Sequence, residues 1–110
     1  MPDCIFCNIV KGKIPAKILH ETKNLIAIPD INPAANVHVL IIPKKHISTF
    51  VNIKKEDKEL VLEMFEVAQK LIKDKKIEKK YKVIFNGGAF QFVPHLHWHL
   101  LGGELKKEVA

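Results

Sequence analysis

The sequence predicts a small α+β domain in which an antiparallel β-sheet is covered on one face by one long helix. Short runs rich in β-branched residues are separated by turn signals, and one longer stretch has apolar residues at helical spacing. The links between neighbouring strands are too short for the crossovers that parallel pairs need. With 110 residues, the chain can bury one compact core, so we expect one domain over residues 1–110.

Five segments have the pattern of strands, at residues 16–20, 25–29, 37–42, 81–85 and 95–101. Pro43 ends the third, and Gly102 with Gly103 is expected to stop the fifth. A sheet of this size with one exposed face gains by covering it with a second copy. We therefore expect a homodimer.

The long helix is expected over residues 56–74, with Asn52 as a candidate cap. Its apolar stripe consists of Leu60, Met64, Val67, Ala68, Leu71 and Ile72. Lysines and acidic residues alternate over the other face, which is typical of a solvated helix surface. The net charge of the whole chain is +6. It therefore favours anionic ligands such as phosphates, and nucleic acid is not an expected partner.

No stretch of the sequence predicts a membrane span. The longest uninterrupted apolar run, at residues 39–42, is far too short to cross a bilayer, and residues 1–4 lack the pattern of a secretory signal. We expect a cytoplasmic protein without a membrane partner. Neither a P-loop nor a Rossmann glycine fingerprint is present, so any phosphate must be held by side chains and local backbone.

Three histidines alternate with large apolar residues near the end of the chain. Because successive strand residues point to opposite faces, His95, His97 and His99 should share one face. Leu96, Trp98 and Leu100 should share the other face and pack on the helix. Adjacent members of the histidine row would stand roughly 6.5–7 Å apart. Two of them can therefore reach one phosphate group.

Such a row of imidazoles suits two kinds of chemistry. A neutral imidazole is a competent nucleophile toward phosphorus near neutral pH, which makes the central His97 the natural nucleophile. His38, on a neighbouring predicted strand, is a candidate for proton handling. Alternate histidines on a strand are also good ligands for zinc or iron. The periodicity leaves this choice open.

Cys4 and Cys7 form a single C-x-x-C. In a cytosolic chain this spacing favours metal or redox chemistry over a structural disulfide. No strand pattern precedes the pair, which disfavours a thioredoxin-like site. The alternative is two buried, reduced cysteines without a ligand.

Four blocks of the chain together resemble the histidine-triad superfamily, specifically its Hint branch. The triad at residues 95–101 with Gly102 and Gly103 resembles the family signature. The other blocks that resemble the family lie at residues 4–7 with 12–16, 30–33 and 37–47. The resemblance covers nearly the whole chain. It implies a five-stranded antiparallel sheet with one long and one short helix, and a dimer.

The resemblance also implies roles for individual residues. His97 would become adenylylated, His99 would bind phosphate and assist proton transfer, and His38 would support both. Asp30 would accept hydrogen bonds from the ribose. Phe6, Ile14, Ile28, Ile31 and Leu40 would form the purine slot, with Asn86 and Gln91 near the nucleotide. A structural zinc would be held by Cys4, Cys7, His46 and His95. The implied substrates are purine nucleoside phosphoramidates and acyl- or aminoacyl-adenylates.

One position departs from the family pattern. Where the family usually carries Ser or Thr after the glutamine, this chain has Phe92. The hydroxyl expected to bind the leaving atom is absent, which puts leaving-group preference in doubt. Alternatives to the hydrolase are a nucleotide-binding module with little turnover, a metalloenzyme with all three triad histidines on one ion, and a dinucleoside polyphosphate hydrolase.

Overall fold

The computed structural model describes residues 4–107 as one five-stranded antiparallel sheet with a helix on each side. The predicted fold class is confirmed. The sheet order is β1-β2-β3-β5-β4, which leaves β1 and β4 at the two edges. The elements are α1 (Ile5–Val10), β1 (His20–Glu21), β2 (Leu25–Pro29), β3 (Ala35–Pro43), α2 (Lys58–Asp74), β4 (Tyr81–Ile84) and β5 (Trp98–Leu105).

The two faces of the sheet pack against different helices. On one face Leu96, Trp98 and Leu100 lie in a buried core with the apolar stripe of α2. This packing is the one that the alternating pattern predicts. On the other face α1 contributes Phe6 to a smaller buried cluster, which includes Leu40 of β3. The histidine row therefore lies on the α1 side of the sheet.

The last strand differs from the prediction at both ends. It begins at Trp98 and runs through Gly102 and Gly103 to Leu105, so the glycines do not stop it. A Cβ atom on Gly102 would lie 2.9 Å from Cβ of Ile77. The glycine at this position therefore allows Ile77 to pack directly on the strand.

The long helix begins two residues later than predicted, and Asn52 does not cap it. Asn52 ends a short 3-10 turn, and a second such turn leads into α2. Asp57 precedes the first helical residue. Its carboxylate accepts hydrogen bonds from the backbone N–H of Lys54 at 2.9 Å and from Nζ of Lys45 at 2.6 Å.

The first predicted strand, residues 16–20, is shorter than expected, because only His20 and Glu21 pair with β2. The third strand extends beyond the predicted 37–42 to Ala35 and Pro43. Within residues 4–107, none of the helices has both the length and the apolar composition of a membrane span.

Candidate functional site

The three triad histidines line up on the α1 face where β5 begins. His99 lies in β5, whereas His95 and His97 precede it. The ring centroids of His97 and His99 are 5.1 Å apart with the planes at 60°, which is closer than the spacing along an ideal strand. The rings therefore tilt toward each other and meet edge to face.

His97 has one ring nitrogen fixed by a hydrogen bond, and its other ring nitrogen has no hydrogen-bond partner among residues 4–107. Its Nδ1 lies 2.8 Å from the carbonyl oxygen of His95. Because a carbonyl can only accept, Nδ1 donates its hydrogen there, and the neutral ring carries its lone pair on Nε2. The ring is only 8% exposed and packs against Phe6 with centroids 5.1 Å apart. Burial lowers the pKa of His97 below its usual value.

A chain of hydrogen bonds also fixes the tautomers of His38 and His99. The backbone N–H of Ala34 donates to Nδ1 of His38 at 2.9 Å, so a neutral His38 carries its hydrogen on Nε2. That nitrogen lies 2.9 Å from Nδ1 of His99 and 3.4 Å from a carboxylate oxygen of Asp30. His99 then accepts at Nδ1, which leaves Nε2–H as its outward donor.

Burial and like charges hold both of these rings neutral at pH 7. Burial, with smaller contributions from His97 and His38, lowers the pKa of His99 to about 4. Burial also lowers the pKa of His38, against the opposing effect of Asp30. The free site therefore presents neutral imidazoles, one of which is the donor His99.

A cavity of about 390 Å³ opens beside His38 and His99. It is lined by Asp30, Asn32, Ala34, His38, Ile84, Asn86, Phe92, His99, Leu101 and Lys107. His97 is not among the lining residues of the cavity, but its ring contacts that of His99, which is. The cavity combines an apolar floor with a few polar groups, which is the usual composition of a small-molecule site.

The residues predicted to bind nucleotide fall into separate groups. Asp30 and Asn86 line the cavity. Phe6, Ile28 and Leu40 are buried together in the cluster under α1, Ile14 is half-buried, and Ile31 is fully exposed. The side-chain amide of Gln91 donates to the carbonyl oxygens of Ser48 and Val93 at 2.7 and 2.8 Å, which holds the loop before the triad. Base binding by these residues stays a prediction.

The four predicted metal ligands converge in a separate cluster, with all ligand atoms within 4.8 Å of one another. His95 Nδ1 lies 3.2 Å from Sγ of Cys4, 3.6 Å from Sγ of Cys7 and 3.1 Å from Nδ1 of His46. A tetrahedral zinc with the usual bond lengths sets its ligand atoms about 3.3–3.8 Å apart. The donor set and its spacing therefore fit zinc.

A hydrogen bond outside this cluster orients His95. Its Nε2 donates to the carbonyl oxygen of Pro43 at 2.7 Å, which leaves the Nδ1 lone pair facing the two sulfurs. Such a contact is typical of metal-binding histidines. In the described part of the chain, His95 clusters with the two cysteines. Neither of the two candidate metal clusters found there contains His97. This arrangement does not bring the three triad histidines together on one ion.

Comparisons with known proteins agree with this architecture. The family model described as "Scavenger mRNA decapping enzyme C-term binding" matches residues 3–110. A HIT-like protein of Buchnera aphidicola is 43% identical over 96% of both chains. The chain belongs to the histidine-triad (HIT) family. A HIT family hydrolase structure from Clostridium thermocellum is 46% identical, with a TM-score of 0.90 over 94% of this chain and 93% of that one.

A plant relative has a named activity. The bifunctional adenosine 5′-phosphosulfate phosphorylase/adenylylsulfatase HINT4 of Arabidopsis thaliana is 38% identical over 87% of this chain and 67% of its own length. Its name describes two reactions of an adenylyl compound.

Sequence reasoning missed several residues at this HIT site. Lys107, Ile84 and Leu101 line the cavity, and Ala34 sets the tautomer of His38 through its backbone N–H. A backbone contact leaves no side-chain signal in a sequence. The alternation of Leu101 with Leu100 does place Leu101 on the histidine face, so this residue could have been found.

Proposed function

We propose that the chain is a hydrolase that cleaves purine nucleoside phosphoramidates or acyl- and aminoacyl-adenylates to the nucleoside monophosphate. A covalent nucleotidyl group on His97 is the intermediate. The observation that carries this proposal is the fixed tautomer of His97, whose Nδ1–H is bound to the His95 carbonyl. The Nε2 lone pair is thereby available for attack on phosphorus.

The proposed first step forms a bond between Nε2 of His97 and the α-phosphorus and breaks the bond to the leaving group. An acyl leaving group departs as a carboxylate. An amine leaves after taking a proton from water, while the Nε2–H of His99 donates a hydrogen bond to a phosphoryl oxygen. In the second step a water molecule attacks the phosphorus, the bond to His97 breaks, and the proton of that water passes to the solvent.

The surroundings of the cavity support a nucleotide ligand. Asp30 accepts the backbone N–H of Asn32 at 2.8 Å and keeps its second oxygen near His38, so it is held at the cavity wall where ribose hydroxyls could donate to it. The adenylyl chemistry in the name of the Arabidopsis relative is the same class of reaction. Transfer of that chemistry to this chain is part of the proposal.

We also propose that zinc is bound by Cys4, Cys7, His46 and His95. A closed set of two sulfurs and two nitrogens is structural in type, because it leaves no position open for substrate. The zinc would fasten α1, which carries Cys7, to the start of β5. The catalytic steps above need no metal.

A cytoplasmic homodimer completes the proposal. Both cysteines are free, as expected where thiols stay reduced. β4 is an edge strand of the sheet. Apolar surface is exposed on β4 at Tyr81 and Val83 and on α2 at Leu62 and Phe65. Phe65 lies over Trp98, whose buried indole N–H has no acceptor in the described part of the chain. A second copy would cover this surface.

Trapping the intermediate tests the hydrolase. The protein is mixed with an adenosine 5′-phosphoramidate, quenched in denaturant and digested, and the adenylylated peptide is located by mass spectrometry. We expect the label on His97, and we expect His97→Ala to lower turnover by roughly 10⁴-fold or more. The matched control is His20→Ala, a histidine on β1 outside the cavity, which should keep normal turnover.

Two outcomes would contradict the proposal. Normal turnover by His97→Ala would exclude this nucleophile. Affinity for nucleoside monophosphates without hydrolysis of any phosphoramidate or adenylate would instead favour the nucleotide-binding module. The burial of the His97 ring and the Phe92 side chain in place of a hydroxyl are the features that favour this second candidate.

A further inference from the structure

The C-terminal segment of the described chain borders the cavity, and Lys107 is its lining residue. Leu105 of β5 pairs with Ala35 of β3, and the backbone N–H of Lys106 donates to the carbonyl oxygen of Ala34 at 2.7 Å. Glu104 is held in turn, because its backbone N–H donates to Oδ1 of Asn36 at 2.7 Å. These contacts place Lys107 on the wall of the cavity.

Lys107 gives the wall of the cavity a positive charge. Among the described lining residues it is the only lysine or arginine, and Asp30 is the only carboxylate. Lys107 is close enough to His38 for its charge to oppose protonation of that ring. An anionic group in the cavity would therefore be attracted toward Lys107 and away from Asp30.

The lining of the cavity is apolar at Ile84 of β4 and at Ala34 and Leu101. Ala34 and Leu101 are buried and pack with Ile84 as a small cluster. Phe92 lines the cavity while its side chain is 99% exposed. An exposed aromatic ring at the edge of an apolar cavity is stabilised when it covers another apolar group, because both apolar surfaces then leave water.

We propose that this half of the cavity is a leaving-group subsite, selective for a leaving group with an apolar body and an anionic terminus. Ile84, Leu101 and Phe92 contact the apolar body, and Nζ of Lys107 binds a carboxylate or a similar anion. This inference rests on the proposed function, since the phosphoryl group must lie beside His99 for the leaving group to extend over Leu101. In place of a hydroxyl that would hydrogen-bond the leaving atom, Phe92 contacts the apolar group attached to that atom.

Three substrates test the subsite. In each of them the same adenosine 5′-phosphoryl group is joined through nitrogen to a different amine, which is phenylalanine, phenethylamine or glycine. The phenylalanine compound has both the ring and the carboxylate, and each of the others lacks one of them. We expect the phenylalanine compound to have the highest kcat/KM. It should exceed the phenethylamine compound about threefold at low salt and the glycine compound about tenfold.

Two variants, each with a control at a nearby position, test which residue is responsible for each substrate preference. Lys107→Ala should abolish the advantage of the carboxylate, whereas Lys106→Ala, whose side chain does not line the cavity, should keep it. Phe92→Ser should reduce the advantage of the ring, whereas Phe90→Ser should keep it. Phe90 is also exposed but lies outside the cavity lining.

The outcomes separate this inference from the proposed function. Turnover of all three substrates with equal kcat/KM would overturn the subsite and leave the hydrolase standing. The same holds if Lys107→Ala and Phe92→Ser keep the selectivity of the unaltered protein. If none of the three compounds is turned over, the proposed phosphoramidate reaction and the subsite are both overturned.

Discussion

At the scale of single residues, the three triad histidines differ because each has a different hydrogen-bond partner. The His95 ring donates to Pro43 and faces the cysteines, the His97 ring donates to the His95 backbone, and the His99 ring accepts from His38. Each contact selects one tautomer. The row therefore divides into a candidate metal ligand, a candidate nucleophile and a candidate donor, although all three side chains are chemically identical.

The low pKa of His99 has a consequence for stability. Its pKa is about 4 in the folded protein and about 6.5 in an unfolded chain. Below pH 6.5 the unfolded chain therefore binds more protons than the folded one, and the free energy of unfolding falls as the pH drops from 6.5 to 4. We expect His99→Gln to make this fall less steep, as measured by urea denaturation at several pH values. Identical slopes in both proteins would contradict the assigned pKa.

At the scale of elements, α1 is short and depends on its contacts. Six residues make a marginal helix in isolation. Sγ of Cys4 accepts the backbone N–H of Cys7 at 3.3 Å, which caps the helix with the same sulfur that faces His95. The zinc that we propose would link this helix to the sheet through its coordination bonds to Cys7 and His95.

We expect the purified protein to contain about one zinc per chain and Cys7→Ser to lose most of it. The melting temperature of Cys7→Ser should fall by several degrees, because metal binding contributes directly to folding. Metal content is measured by mass spectrometry of the digested protein. His97→Ala is the control and should keep the zinc. Loss of zinc from His97→Ala would instead favour the site with all three histidines on one ion.

β5 depends on a glycine at position 102. An added Cβ would lie 2.9 Å from Cβ of Ile77, which is closer than ordinary packing allows. Gly102→Ala should therefore destabilise the protein by about 1–3 kcal/mol. At position 87 the added Cβ of Gly87→Ala would meet only Oγ1 of Thr49 at 3.4 Å, so this control should change stability little. Thermal unfolding of both variants compares them, and equal melting temperatures would contradict the steric argument.

At the scale of the whole molecule, one sheet edge differs from the other in its exposed surface. β4 is an edge strand in which Val83 pairs with Leu100, on the same face as α2. Phe65 of α2 packs against Trp98 of the neighbouring β5, and both Val83 and Phe65 expose apolar surface near the open edge of the sheet. Both features favour strand pairing with a second copy.

Val83→Lys should convert a dimer of this chain to a monomer, because it places a charge in the middle of the proposed interface. The measurement is molar mass by light scattering on a sizing column. Ile18→Lys is the matched control, since Ile18 is 41% exposed and Val83 is 39% exposed, and Ile18 lies near the opposite edge. A dimer that survives Val83→Lys would exclude β4 as the interface.

The sequence by itself determined the local structure and the kinds of chemistry. Alternation of His and apolar residues assigns two faces to residues 95–101, and the helical stripe assigns α2, because both depend on periods of the backbone alone. The residue types of the triad and of the C-x-x-C indicate phosphorus or metal chemistry, and this indication needs only these residues and their spacing along the chain. The family resemblance added the residue roles.

Only the tertiary structure decided which groups meet. His38 and His99 come together because β3 and β5 are adjacent and pair with Leu40 opposite His99. Cys7 and His95 are 88 positions apart and meet through the packing of α1. Lys107 reaches the cavity because β5 continues through two glycines that the sequence pattern assigns to its end. Strand register and close packing depend on contacts between distant parts of the chain, and local periodicity carries no information about them.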